Sequence, residues 1–368
     1  MPKLTPQQRW DQVVTRQARG AHTRRKLAAN RHRNWLTALA AHASAKAQAA
    51  AHLSDLEEHL VQTIRQASRK SDLVAGFAYI DSATPPEMKA EIFPGGVDRL
   101  TVTDALTFAD LGRMAPDLVK GTLSAPNTNN LDIAAIHSGQ VRLREQMKAS
   151  PGVLRAHASS LLRAVSVDPV IPKVANGPIA NRYLIKSQWF RCLEESNEWS
   201  DSDEVYWLFA SVAKGYQAAS NSHLFTDVDE NDVFAFEPNE GCFWGMDCQP
   251  HTFPEGEIGA IVTLMEHDEG DMTDVANAWF TGVGGLTAVL GASGVAAWVA
   301  AVVAALGGFI GVLLEFMNDD HIADQNYTWD RKSINEVIDK HGGSYDVVSV
   351  LTDGDASYRL RTRVHRVV

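Results

Sequence analysis

Carboxylates crowd into three short stretches of the C-terminal half, each at the end of a strand-like run. The first is "EESNEWSDSDEVYW", with Glu194, Glu195, Glu198, Asp201, Asp203 and Glu204. The second, "MEHDEGDMTD", holds Glu266, Asp268, Glu269, Asp271 and Asp274. The third, "NDDHIAD", holds Asp319, Asp320 and Asp324. Carboxylates held close together repel and raise one another's pKa. A hard cation relieves that repulsion, and calcium, which takes about six to eight oxygens in irregular geometry, suits such loops best. A second calcium pattern, "TDVDENDVF", matches the start of an EF-hand loop at Asp227, Asp229 and Asn231. Its sixth position is Asp232 where glycine is needed, and its twelfth is Pro238 where glutamate is needed, so it is rejected.

Between the second and third acidic stretches runs the greasiest part of the chain, with no charge from Val275 to Leu314. Val295 to Leu314 would span about 30 Å as a helix, the thickness of a hydrocarbon core. Gly291 to Gly294 reads as a turn, so the segment 275–316 is expected to be a helical hairpin. Ala296, Ala300, Ala304 and Gly308 recur every fourth residue, a spacing that lets helices approach closely. A constitutive membrane span normally carries Lys or Arg on its cytoplasmic flank, whereas both flanks here are acidic. Two readings remain. The hairpin is buried permanently, against the N-terminal helices, or it is hidden in a soluble form and released at a membrane.

The acids resemble those of a C-two domain, the calcium-dependent phospholipid-binding module of the protein kinase C and synaptotagmin type, over about residues 181–368. That family carries S-D-P-Y-V after its first calcium loop; this chain has "SDEVYW" from Ser202. The family's third loop follows a strand with D-x-D and ends near D-D-x-I-G. Here Glu266-His267-Asp268 follows "IVTLM", and Asp319-Asp320-His321-Ile322-Ala323 comes later. The chain departs from the pattern at Glu204, Glu266 and Ala323, and in the roughly 50 residues between Asp268 and Asp319. The resemblance implies a sandwich that binds calcium through Asp203, Glu266, Asp268 and one of Asp274, Asp319 and Asp320. Glu198 or Asp201 would join from the first loop.

The elements that must position these residues follow from patterning. The expected class is α+β: an N-terminal helical region, then a C-terminal antiparallel β-sandwich carrying the apolar hairpin. Residues 1–70 read as a basic helical region. Pro6 behind Thr5 suits a first helical turn, and Ser54 with Glu57 forms a capping box ahead of the stripe Leu56, Leu60, Ile64 and Ala67. Residues 71–180 read as a mixed, mainly helical middle region, with helices expected over "TVTDALTFADLGRM" and "SGQVRLREQMKASPGVLRAHASSLLRAV". From 181 to 368 short alternating runs separated by turn residues read as strands.

Residues 1–70 carry a net +9 and the remainder −20. That asymmetry suggests either two separate jobs or docking of the basic part on the acidic one. The basic cluster "HTRRKLAANRHRNW" comes without a nucleic-acid fold signature, so nucleic acid is not an expected partner. Cys242 and Cys248 bracket "CFWGMDC" and can close a disulfide, leaving Cys192; three free thiols in a reducing compartment is the favoured alternative. The N-terminus lacks the apolar stretch of a signal peptide. Synthesis in the cytoplasm is expected, with any export by a leaderless route and membrane association at the target.

The function expected from these features is calcium-dependent membrane binding. The protein would insert its hairpin into phospholipid, as a pore-forming toxin or injected effector and as a homo-oligomer on the membrane. The rim acids would stay at the headgroups, because an Asp at the bilayer centre costs about 2.5–3.5 kcal/mol. The alternative is a non-lytic binding or scaffold module whose hairpin is permanent core. No enzyme is expected: the chain has no P-loop, no G-x-S-x-G and no H-E-x-x-H, and His137-Ser138 is an isolated pair.

Overall fold

The computed structural model describes residues 4–17, 20–67, 73–123, 130–132, 181–195, 203–213, 216–245, 248–253, 256–267, 272–292, 299–317, 319–352 and 356–367. The class is α+β, with helices in the N-terminal half and two sheets in the C-terminal half. The chain forms two compact units. One comprises Met1–Thr128 with His267–His321, the other Asn129–Glu266 with Ile322–Val368. This division differs from the boundaries at 70 and 180 read from sequence. The hairpin segment clusters with the N-terminal helices, and so do the described helices after residue 70.

The helical unit contains α1 (Pro6–Thr15), α2 (Gly20–Ala29), α3 (Trp35–Gln48), α4 (Asp55–Ala67), α5 (Leu73–Ala83), α6 (Pro86–Ile92) and α7 (Phe108–Leu123). To these it adds α8 (Met272–Ala292) and α9 (Val299–Glu315). Both sequence-read helix starts are present. The Thr5 hydroxyl accepts from Gln8 N while the Gln8 side chain accepts from Thr5 N. Ser54 and Glu57 exchange the same pair of bonds. The stripe Leu56, Leu60, Ile64 and Ala67 is buried, while Glu58, Gln62 and Arg65 on the other face of α4 are exposed. The helix expected over residues 101–114 begins only at Phe108. Thr101 and Thr107 bond the carboxylates of Asp104 and Asp110, and these local bonds hold turns ahead of the helix.

The second unit is a sandwich. One sheet has the order β1 (Asn130–Asp132), β10 (Asp319–Asp330), β9 (Glu257–His267), β3 (Asp203–Ala213), β4 (Tyr216–Asn221), with β5 (Phe225–Val228) also on β3. The other has the order β11 (Ser344–Thr352), β12 (Ser357–Val367), β2 (Arg182–Glu194), β6 (Val233–Ala235). There β7 (Cys242–Trp244) and β8 (His251–Thr252) also pair with β2. The recorded pairings are antiparallel apart from β1 with β10. Alternate residues of each sheet face an aromatic core. Phe190 on β2 lies 5.2 Å from Trp207 on β3, and Phe209 stacks on Phe243 at 6.0 Å. A helix missed by the sequence reading, α10 (Arg331–Lys340), adds Ile334 and Ile338 to that core. Cys242 and Cys248 are disulfide-bonded and Cys192 is a buried free thiol.

Candidate functional site

The hairpin helices α8 and α9 join β9 to β10, two neighbouring strands of one sheet, so the insertion lies where the sequence places it. Within the helical unit, α8 packs on α4, and α9 packs on α3, α7 and α8. A helix that is apolar all round must be buried somewhere. Ala305, Leu306, Phe309, Ile310, Leu313 and Leu314 of α9 are all buried. Phe77 of α5 stacks on Phe309 with centroids 5.4 Å apart, and Phe316 packs edge-on against Phe77 at 5.5 Å and Trp10 at 6.3 Å. Close approach depends on glycine. A Cβ on Gly282 would run into Ile310, and one on Gly285 into Thr63 of α4. His59 Nε2 on α4 lies 2.8 Å from the Gly285 carbonyl. Gly308 backs onto Arg33 and Asn34. The side chains of Ala300 and Ala304, and all of Ala296, lie outside the described residues. Among the described residues no helix is both long and apolar enough to cross a membrane.

The two ends of the hairpin are tied together. His267 Nδ1, ahead of α8, lies 2.9 Å from Asp319 Oδ1, after α9, and both side chains are almost fully enclosed. Next in the chain, Asp320 has Arg9 of α1 at 3.9 Å, and Lys26 of α2 donates to the His321 carbonyl at 2.6 Å. Arg9 thus meets one acid of the rim and Lys26 a backbone carbonyl beside it, contacts in keeping with docking, one of the alternatives the charge asymmetry left open. Asp274 sits in the first turn of α8, where a carboxylate complements the helix dipole.

The sequence reading placed the acids at strand ends, and Asp203, Glu266, Asp319 and Asp320 do lie at strand ends, whereas Asp324 lies inside its strand. Asp203 begins β3 and faces the sandwich interior at 2% exposure, accepting a hydrogen bond from the Tyr358 hydroxyl of the opposite sheet. Burial, then the Asp203 charge, raises the Tyr358 phenol above its ordinary pKa, and burial pushes the neighbouring Cys192 thiol up to about 12. Glu266 is buried near the end of β9 in register with Val205, making it a diagonal neighbour of Asp203. Asp319 and Asp320 open β10, and Asp324 within it accepts from Thr263 at 2.8 Å. Pairing of β10 with β9 extends the strand back through the acidic stretch. Glu198, Asp201 and Asp268 lie outside the described residues, as do Ser202 of the first-loop motif and His137-Ser138. Among the described residues no group of three or more His, Cys, Asp or Glu converges as a metal site. Asp203 and Glu266 alone, enclosed and with Asp203 already hydrogen-bonded, fall short of the oxygens calcium takes. Tyr358→Phe removes one hydrogen bond to the buried Asp203 carboxylate, and urea denaturation is expected to show a loss of about 1–3 kcal/mol.

A charged cluster that sequence reasoning missed lies between α3, α4 and residues 104–106. Lys46 Nζ donates to Glu57 Oε1 at 2.9 Å, Glu57 Oε2 at 2.7 Å and the Asp104 carbonyl at 2.8 Å. Leu106 N donates to Glu57 Oε1 at 2.9 Å, and His42 Nε2 lies 3.2 Å from the same oxygen. Its available signal was the Ser54/Glu57 capping box, which marks only one of the carboxylate's partners.

No protein-family model matches the sequence, and no curated protein is similar to it.

Proposed function

We propose that the protein acts at phospholipid membranes by releasing the α8–α9 hairpin from its helical unit and inserting it into lipid. The observation that carries this reading is where the uncharged segment is kept. It is sheathed by helices with their own polar faces, and its ends are fastened by the His267–Asp319 contact and the Arg9–Asp320 ion pair. Such fastenings weaken at an anionic surface, where local charge competes for Arg9 and His267. Calcium belongs to the proposal through Glu198, Asp201 and Asp268, the loop acids of the C-two resemblance, as the cation that cancels repulsion between rim and headgroups. Assembly into a homo-oligomer on the membrane, and delivery by a leaderless route, complete the reading.

The burial of Ala305, Leu306, Phe309, Ile310, Val312, Leu313 and Leu314 favours a second reading, in which the hairpin is permanent core and the sandwich is a binding or scaffold module. Dye-loaded phosphatidylserine vesicles separate the two. Release predicts leakage, raised by millimolar calcium, together with loss of hydrogen-exchange protection in α4 as α8 departs. Neither binding nor leakage at any calcium concentration up to millimolar would sink the membrane reading.

A further inference from the structure

The outer face of the sheet β11-β12-β2-β6 presents a regular lattice of side chains. Register places Val350, Arg359, Arg191 and Val233 in one row across the four strands. The next row is Val348, Arg361, Trp189 and Ala235, and the third is Asp346, Arg363 and Lys186. Val233 is 60% exposed. The face is thus basic and partly apolar on a chain whose net charge is −11.

The third row shows how this face seats a carboxylate. Asp346 Oδ1 accepts from Arg363 Nε at 2.7 Å. Its Oδ2 accepts from Arg363 Nη2 at 3.0 Å and from Arg361 through Nε at 3.1 Å and Nη2. Those guanidiniums hold the Asp346 carboxyl below its usual range, against the opposing effect of burial. One row away, Arg359 and Arg191 form a second guanidinium pair, directly opposite across β12 and β2. Among the described residues neither has an acidic partner. Both Nε groups are buried without an acceptor, and Arg191 Nη2 reaches only the Asn231 amide oxygen at 2.8 Å. Like charges directly opposite on a sheet destabilise it. A bridging oxyanion removes that penalty, and the planar fork of arginine matches a carboxylate.

We propose that this face docks an acidic segment of a partner protein, one carboxylate bridging Arg191 and Arg359 as Asp346 bridges Arg361 and Arg363. Apolar residues alternating with the acids would lie on Val233 and Trp189. A protein segment fits better than a single-stranded nucleic acid, which stacks on successive aromatics, where among the described residues the three rows carry only Trp189. It also fits better than a lipid surface, because the neighbouring forks of Arg361 and Arg363 already close on a single carboxylate, Asp346.

The test is fluorescence anisotropy on the full-length protein with a short labelled peptide alternating glutamate and leucine. A charge-matched single-stranded oligonucleotide and phosphatidylserine vesicles serve as rival probes. The peptide should bind with an affinity that falls with salt. Arg359→Gln and Arg191→Gln should each weaken it roughly tenfold, a change of about 1.4 kcal/mol, while thermal melting is not lowered, since each removes a like-charge pair from the sheet. Asp346→Asn, which vacates the neighbouring clamp, should strengthen binding. Failure of the peptide to bind at low salt would overturn the proposal. So would affinity unchanged by both arginine substitutions, or tighter binding of oligonucleotide or vesicles that the same substitutions abolish. The hairpin plays no part in the peptide measurement, so this result is independent of membrane activity.

Discussion

Glu57→Ala should lower the stability of the helical unit by about 3–5 kcal/mol, because it leaves Lys46 buried without its counter-charge. Lys46 is 2% exposed and Glu57 0%, so water replaces neither partner. The carboxylate also accepts from Ser54 N and Leu106 N, so the substitution unpins the start of α4 and residues 104–106 together. Replacing both charges at once, Lys46→Met with Glu57→Leu, should recover most of the loss, since a packed apolar pair avoids the desolvation cost of the ions. Urea denaturation followed by hydrogen exchange in α3 and α4 would check both outcomes.

The same cluster predicts acid sensitivity. Burial by itself would raise the Glu57 pKa, but hydrogen bonds from Lys46, Leu106 and Ser54 outweigh it and hold the value below the ordinary one. A carboxyl with a depressed folded-state pKa contributes its stability in full above the unfolded value, about 4.3. That contribution is lost as pH falls through the lower folded value. Denaturation midpoints should therefore drop as pH falls below the unfolded value of about 4.3, and Glu57→Gln should flatten that part of the profile.

Phe309→Ala is the second large effect, about 3–5 kcal/mol of stability lost from the contact between α9 and α5. Phe309 is buried and stacked on Phe77, and Phe316 packs edge-on against the same ring. The substitution also separates the two functional readings. If the hairpin is released at membranes, weakening its stored state speeds vesicle leakage, by up to tenfold for each ~1.4 kcal/mol removed from the barrier. If it is permanent core, the variant unfolds more readily and leakage does not increase.

Much of the fold was legible because local rules and burial agree. Thr5, Pro6 and Gln8 specify a helix start by themselves, and the α4 stripe needs only its periodicity. The long strands β2, β3, β9, β11 and β12 announce themselves by alternating or continuously apolar residues. The short strands β4, β5, β7 and β8 carry no such pattern; pairing with β2 or β3 makes them strands. The acids were harder. Asp319 looks like a free loop ligand until His267, far away in sequence, closes on it, and Asp203 looks solvated until Tyr358 reaches across the sandwich. The Lys46–Glu57 cluster was hidden for the same reason: its members come from three segments that meet only after folding. The outer arginine face needs strand register, which no single segment reveals.

The helical unit is discontinuous, and that governs how the protein is made. Residues 1–128 leave the ribosome first, without α8 and α9, which begin at Met272. At ~5–20 residues per second, roughly 7–30 s of translation separate the two pieces. During that interval the surfaces of α3, α4 and α7 that pack on α8 and α9 go without that cover. The greasy segment then emerges after most strands of the second unit have been translated, and its burial completes the helical unit.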